Sequence, residues 1–356
     1  MSALRVLVLM RYGRLGASSR LRMVQYIPWL EREDIGVSTQ EFFSDAMLNN
    51  RYRNGRYGYG ALIDVYWKRI CALVCGRGKG LLWIEKEALP WFPAWIERIL
   101  LGHVPYVLDY DDALFHNYDL HSSRVVRAML GRRIDTLMRG ARLVIAGNDY
   151  LAQRARQAGA RWVEIVPTVI DLNRYYVRNS SLSSDLLRIV WVGSPSTVQY
   201  LRLIETALVT LGRQVRFTLR VVGAEISMPG VDIECLPWSE NSEVASITEC
   251  DIGIMPLTDS PWERGKCGYK LIQYMACGLP VVASPVGVNS QIVRDGENGF
   301  LADTPEAWER ALGQLLHQAS SRECMGRAGR SRVEEEYCVQ RVAPRLATLL
   351  KQAGAR

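Results

Sequence analysis

No stretch of this 356-residue sequence approaches the roughly 18 apolar residues that a membrane-spanning helix needs. The best candidate, Leu62 to Cys75, is interrupted by Asp64, Lys68 and Arg69. The N-terminus lacks the pattern of a secretory leader, and Leu4 to Met10 reads instead as a buried first strand. These absences make a soluble, cytoplasmic protein the expectation. Histidine is scarce: His103, His116, His121 and His317 stand at ligand spacing from no cysteine. The eight cysteines include no Cys-x-x-Cys, and only Cys71 and Cys75 lie one helical turn apart, so reduced thiols are expected rather than a metal cage or disulfide framework. There is no complete G-x-G-x-x-G after the first strand, which disfavours a nicotinamide-dependent oxidoreductase. No helix-turn-helix, zinc-finger or RNA-recognition signature is present, so nucleic acid is not an expected partner. The lack of any repeat of 20–50 residues argues against solenoids and propellers.

What is present is ordinary globular composition, 48% apolar and 23% charged, at a length that suits two domains of ~100–200 residues. The net charge of +7 is unevenly placed. Residues 1–180 carry 26 Lys and Arg against 17 Asp and Glu, whereas residues 181–356 carry 18 against 20. The densest basic part, Arg51 to Gly80, holds seven basic residues and one acid, interleaved with Tyr52, Tyr57, Tyr59, Tyr66 and Trp67. An anionic membrane surface or a diphosphate-bearing substrate fits this balance, and a merely solvated basic face fits it too.

Short β-branched runs alternate with longer amphipathic stretches, which indicates parallel sheets covered by helices. The runs are Arg5–Met10, Gly80–Glu85, Pro105–Asp109, Arg142–Ala146 and Val163–Val166. After a linker-like Tyr175–Asp185 they resume as Leu187–Val192, Val215–Val222, Asp232–Leu236, Asp251–Met255 and Pro280–Ala283. Two doubly wound α/β domains are expected: residues 1–175, then 180–335, followed by a C-terminal helical stretch over 336–356. Ligands of such sheets bind beyond the carboxyl ends of the strands. The segments after the strands are therefore where chemistry is sought.

The richest such segment runs from Pro261 to Pro280. A loop with Gly265 and Gly268 opens a helix from about Tyr269 to Cys277, and Gly278 is its expected C-cap. Backbone N–H groups and the positive end of the helix dipole suit an anion there, and Lys266 and Lys270 could neutralise a diphosphate. A solvated helix start has a similar composition. The order of loop, helix, Met-Ala-x-Gly-x-Pro-Val-Val strand and Gly287 turn is more specific.

At this point the sequence resembles glycosyltransferases of the GT-B fold, family 4 type. The match is carried by Lys270-Leu-Ile-Gln-Tyr-Met-Ala-Cys-Gly-Leu-Pro-Val-Val-Ala-Ser284, Pro285-Val-Gly287 and Asp295-Gly-Glu-Asn-Gly-Phe-Leu301. Val190-Trp-Val-Gly193, Cys250-Asp-Ile-Gly-Ile-Met-Pro-Leu257 and Val166-Pro-Thr-Val-Ile-Asp171 add to it. The resemblance implies two Rossmann-like domains facing a cleft, with the last helix, Val342 to Lys351, crossing back onto the first. It also implies sugar transfer from a nucleotide-sugar with retention, without a resident cofactor or metal, and a saccharide or lipid-linked acceptor in cell-surface polysaccharide or glycoconjugate synthesis. Association with the inner membrane face would then be peripheral.

The sequence also departs from the family pattern. Of two family glutamates eight positions apart, the second falls on Gln273 and the first on Gly265, with Glu263 two residues off register. The loop Gly193-Ser-Pro-Ser-Thr-Val-Gln199 lacks the family's Arg and Lys, for which Lys266 and Lys270, with Arg264 nearby, are the replacements. Aligned on Pro105, the place of a family histidine falls on Asp111, within Asp109-Tyr-Asp-Asp112. Three carboxylates in four residues need a role or a countercharge. A strand-end turn, sugar or nucleophile contacts, and metal ligation are the readings of that cluster.

Residues and resemblance together assign Asp111, Asp109 and Lys270 to catalysis. They assign Gly16, Gly193, Ser194, Trp238, Glu263, Lys266, Gly268, Tyr269, Lys270, Leu271 and Gln273 to the donor diphosphate, sugar and base, and Glu85, Glu87 and Arg20 to the acceptor. Trp238 also fits a core position, Glu85 and Glu87 a surface ion-pair cluster, and the Gly16–Arg20 loop simple capping. The alternatives in function are a catalytically inactive nucleotide-sugar-binding relative, an epimerase or a phosphorylase.

Overall fold

Parallel strands covered on both faces read as continuous apolar runs, and Val6 to Met10 is such a run, buried throughout. The computed structural model describes residues 4–55, 57–76, 80–177 and 186–355, with the side chains of 52–54 left out of that description. The linker-like stretch Arg178–Asp185, and Arg56, Arg77 and Lys79 of the basic run, lie outside the described residues.

The chain forms two compact units: residues up to Thr168 together with those from Val342 onward, and Val169–Arg341. In the first, six strands pair in the order β2-β1-β3-β4-β5-β6: β1 Leu4–Tyr12, β2 Ile35–Phe43, β3 Leu81–Glu85, β4 Tyr106–Tyr110, β5 Leu143–Ala146 and β6 Val163–Ile165. All pairs are parallel, and the register sets Glu85 beside Asp109. From Val342 the chain packs on this unit, with Arg345 paired to Glu164 at 2.7 Å and Lys351 to Glu33 at 2.9 Å.

The second unit holds β7 Leu187–Val192, β8 Phe217–Val222, β9 Asp232–Leu236, β10 Ile252–Met255, β11 Val281–Ala283 and β12 Gly299–Leu301. They lie in the order β12-β11-β10-β7-β8-β9, again all parallel. Side chains alternate across a strand. Accordingly Ile189 and Trp191 of β7 enter one core with Leu208, Phe217 and Leu312, and Val190 and Val192 enter the other with Leu271, Tyr274 and Met275.

Each sheet reverses its strand order once, at β1/β3 and at β7/β10, and such reversals open a crevice at the carboxyl ends. The loops after β1, β3, β7 and β10 are thus the favoured ligand positions. Among the described residues no helix is long and apolar enough to cross a membrane.

Candidate active site

In the second unit, β7 ends at Val192 and the chain turns at Gly193. The Val192 amide donates to the Tyr274 hydroxyl at 2.8 Å, and the Gly193 amide to the Val222 carbonyl at 2.9 Å. A β-carbon at Gly193 would lie 2.2 Å from the Trp191 ring, so the turn needs glycine. Ser194 caps the following turn, its amide donating to the Thr197 hydroxyl at 3.2 Å.

The helix Tyr269–Ala276 starts at Gly268, which holds φ +65° and whose β-carbon would sit 2.3 Å from Ile292. Its apolar face, Leu271, Ile272, Met275 and Ala276, is buried in the core, which aims its N-terminus outward from a fixed base. Lys270, in the first turn, places Nζ 4.8 Å from the Trp191 ring centroid. Among the described residues it has no carboxylate partner. Burial and the nearby Lys266 push its ammonium down to about 7. Lys266 lies with Nζ 5.9 Å from the Tyr200 ring. Two cations and the positive end of a helix therefore converge where the chemistry calls for an anion.

Glu263 is buried and spoken for, since Ser260 and Tyr200 both donate to its carboxylate. Although burial works against the charge, those two hydrogen bonds hold its carboxyl below the usual range. Gln273 is buried too, and its Nε2 donates to the Tyr175 hydroxyl at 2.9 Å, which is 3.1 Å from the Tyr269 hydroxyl. Arg264 pairs with Asp259 at 2.6 Å. Trp238 packs against the core and donates Nε1–H to Glu243 at 2.7 Å.

In the first unit, the carboxylates expected to crowd after β4 have their countercharges. Arg22 donates to Asp109 at 2.7 Å and to the Val166 carbonyl at 2.8 Å, both side chains being buried. Burial pushes the Asp109 carboxyl up to about 6 against the pull of Arg22, and Asp111 and Glu85 add to the rise. Lys86 lies between Asp111 at 3.0 Å and Asp112 at 2.5 Å. Burial alone would lower its ammonium, but the two carboxylates hold it well above the ordinary range. Asp111 goes the other way: burial opposes its charge, and Lys86, Ser18 and Arg22 together bring its carboxyl below the usual value. Lys86 adopts φ +63°, a left-handed conformation unusual for a side chain with a β-carbon, directly after β3.

Glu85 accepts from the Ser19 hydroxyl at 2.6 Å and the Arg11 amide at 2.8 Å, which locks the loop after β1 to the end of β3. Gly16 precedes the helix Ala17–Arg22 because a β-carbon there would lie 2.3 Å from Tyr12. Arg20 is buried and donates to the Arg14 carbonyl at 3.1 Å. Glu87 is buried within an ion-pair cluster. Its buried carboxylate is occupied by Arg11 at 2.8 Å, Tyr118 at 2.8 Å and Arg133, and Arg133 also binds Glu97 at 2.7 Å. These donors from the fold hold the carboxylate and anchor the chain after β3.

Sequence reasoning passed over Lys86, Arg22, Trp191, Tyr200 and Tyr175. Lys86 stood in view between Glu85 and Glu87, whereas Arg22 and Tyr175 act on residues 87 and 98 positions away. Among the described residues no group of three His, Cys, Asp or Glu side chains is placed to hold a metal ion.

The family model described as "Glycosyl transferases group 1" matches residues 186–318. The spore coat protein SA of Bacillus subtilis is 30% identical over 81 residues, 22% of this chain and 22% of that protein. D-inositol 3-phosphate glycosyltransferase of Paenarthrobacter aurescens is 35% identical over 95 residues, 26% of this chain and 22% of that protein. The match thus spans about a fifth of the length of these curated relatives. The crystal structure of Anabaena HepE in complex with UDP and glucose superimposes with a TM-score of 0.73 over 98% of this chain and all of that one, at 17% identity. The two parallel six-stranded sheets and this superposition give the chain a GT-B-type fold, and residues 186–318 of its second unit are similar to group 1 glycosyl transferases.

Proposed function

We propose that the protein transfers a sugar from a nucleotide-sugar donor to a saccharide or lipid-linked acceptor, with retention of anomeric configuration and without a metal. The observation that carries this reading is Lys270, a half-buried cation without a carboxylate partner among the described residues, at the N-terminus of a helix and beside Lys266. A diphosphate is the anion whose charge and size suit that arrangement. Support comes from the group 1 match over 186–318 and from HepE, which was solved with UDP and glucose.

In this reading the acceptor oxygen bonds to the anomeric carbon on the face from which the diphosphate oxygen departs. The acceptor proton passes to that leaving oxygen. Lys266, Lys270 and the helix N-terminus stabilise the charge developing there, and Asp111 holds the transferred sugar. The setting we propose is cell-surface polysaccharide or glycoconjugate synthesis at the cytoplasmic side of a membrane.

The test is a panel of nucleotide-sugars scored for binding by calorimetry and for turnover with and without saccharide or lipid-linked acceptors. Acceptor-dependent release of nucleoside diphosphate, with an unchanged anomeric centre in the product, is expected. Tight binding with no turnover would instead favour an inactive nucleotide-sugar-binding relative. That second reading is motivated by the burial of Gln273 against Tyr175 at a position where the family carries glutamate. Donor consumption without acceptor would indicate an epimerase, and dependence on inorganic phosphate a phosphorylase.

A further inference from the structure

A backbone in the left-handed region suits glycine or asparagine, and a bulky side chain there is a strained outlier. Trp91 holds φ +64° on the loop that follows β3. Its ring does not enter the core to offset that strain, since the residue is 50% exposed. Neither local preference nor burial therefore accounts for tryptophan at this position. Strain of this kind gathers where a ligand is clamped.

The segment around Trp91 is fixed by buried charge. Its amide donates to the Tyr118 hydroxyl at 3.2 Å, and that hydroxyl donates to Glu87 at 2.8 Å. Glu97 accepts from the Ala88 amide at 2.8 Å, and Arg133, paired with both glutamates, donates to the Leu89 carbonyl at 2.8 Å. Two rings meet the indole edge to face: Tyr118 at a centroid distance of 5.1 Å, and His121 at 5.9 Å with an interplanar angle of 82°. His121 is itself oriented. Its Nδ1 accepts from the Ser123 amide at 3.0 Å, which assigns the ring hydrogen of the neutral imidazole to Nε2. Arg127 donates to the His121 and Ser122 carbonyls and holds that turn in place. A half-exposed indole thus has an N–H donor beside it, on a ring set nearly at right angles, and both are positioned before any ligand arrives.

We infer that Trp91 and His121 form a platform for a pyranose ring of a saccharide acceptor. A pyranose has a face of C–H bonds and a rim of hydroxyls. The face suits the indole, and the rim suits the imidazole donor. A lipid chain would use the first of these and leave the second unpaired. The inference rests on the transferase reading and narrows its acceptor to a saccharide.

A glycan array of gluco-, galacto- and manno-configured oligosaccharides and their N-acetylhexosamine counterparts, probed with the whole chain, tests it. The wild type should be retained on at least one glycan. Trp91→Gly should lower that retention about tenfold, the scale of a lost aromatic contact. Because glycine tolerates the left-handed backbone, its melting temperature should not fall. Trp91→Phe, which keeps a smaller ring, should recover part of the loss. His121→Ala should lower retention about threefold, the loss of one hydrogen bond. No retention of the wild type on any glycan, or equal retention by Trp91→Gly, overturns the inference. Should Trp91→Gly not fold, His121→Ala decides, and retention equal to wild type then overturns it. Nucleotide-sugar binding, measured on the same samples, should be unchanged in every variant. Retention on glycans without nucleotide-sugar binding by the wild type would sink the transferase reading and leave the platform standing. Nucleotide-sugar binding and turnover without retention would do the reverse.

Discussion

The Lys270 ammonium stands 4.8 Å from the centroid of the Trp191 ring, at the base of the turn that Gly193 makes. An aromatic face attracts a cation but does not neutralise it. Trp191 is itself buried in the other core of the sheet, so the lysine rests on a rigid floor. The protein thereby keeps a positive charge in place that its own carboxylates do not cancel.

Replacing Lys270 with Met should weaken nucleotide-sugar binding by about 1.5–3 kcal/mol, roughly ten- to a hundredfold, the loss of one charge-assisted contact. The melting temperature of the ligand-free protein should not fall, because a cation disfavoured by its surroundings has been removed. Calorimetry and thermal unfolding on one preparation check both halves. Equal affinity in the folded variant would remove Lys270 from the donor site.

Binding should also depend on pH. In the free protein Lys270 sits at about 7, below its ordinary value, and a bound diphosphate would raise it. Affinity is then full below about 7 and declines as pH rises from there towards the raised value in the complex. A nucleotide-sugar is the right probe, since its diphosphate stays fully ionised over this range. Proton uptake near pH 8, read from binding heats in two buffers of different ionisation enthalpy, is the expected signature. A flat affinity between pH 6 and 9 would contradict it.

Asp111→Asn removes the charge while keeping the shape beside Lys86. Turnover should drop by a hundredfold or more, on the scale of lost transition-state contacts. Binding of the free nucleotide should be nearly unaffected. Normal turnover would transfer the role to Glu85 or Asp109.

Exhaustive chelation should leave the transfer rate unchanged. Asp109 is paired with Arg22 and Asp111 with Lys86, so each carboxylate already has a countercharge. Loss of activity on chelation, restored by magnesium or manganese, would make these aspartates ligands.

Much of this fold was legible from apolar runs and strand-end glycines, because both sheets are parallel and covered on both faces. Two strands were not. In β2, Ile35 to Phe43, the edge position leaves Gly36, Ser38, Gln40 and Glu41 without a core to fill, so no run appears. β12 is only three residues long, Gly299–Leu301, too short for any periodicity. The pairing of Lys266 and Lys270 at a helix start was readable because they adjoin a glycine loop in sequence. The countercharges of the aspartates were not, because the register that sets Glu85 beside Asp109 and the reach of Arg22 across 87 residues exist only in the folded sheet. The partners of Glu87 were hidden for the same reason: Arg11, Tyr118 and Arg133 come to it from three separate elements.

Gly268 offers no side chain to any ligand, yet its left-handed φ, with the Ile292 side chain beside the place of a β-carbon, strains a substitution there. In a library covering every substitution from Pro261 to Pro280, the deepest intolerance should therefore fall on a position with no chemistry of its own. Lys266, two residues earlier, would accept many replacements as judged by abundance and few as judged by activity. That contrast would separate the part of the loop that shapes the site from the part that acts in it.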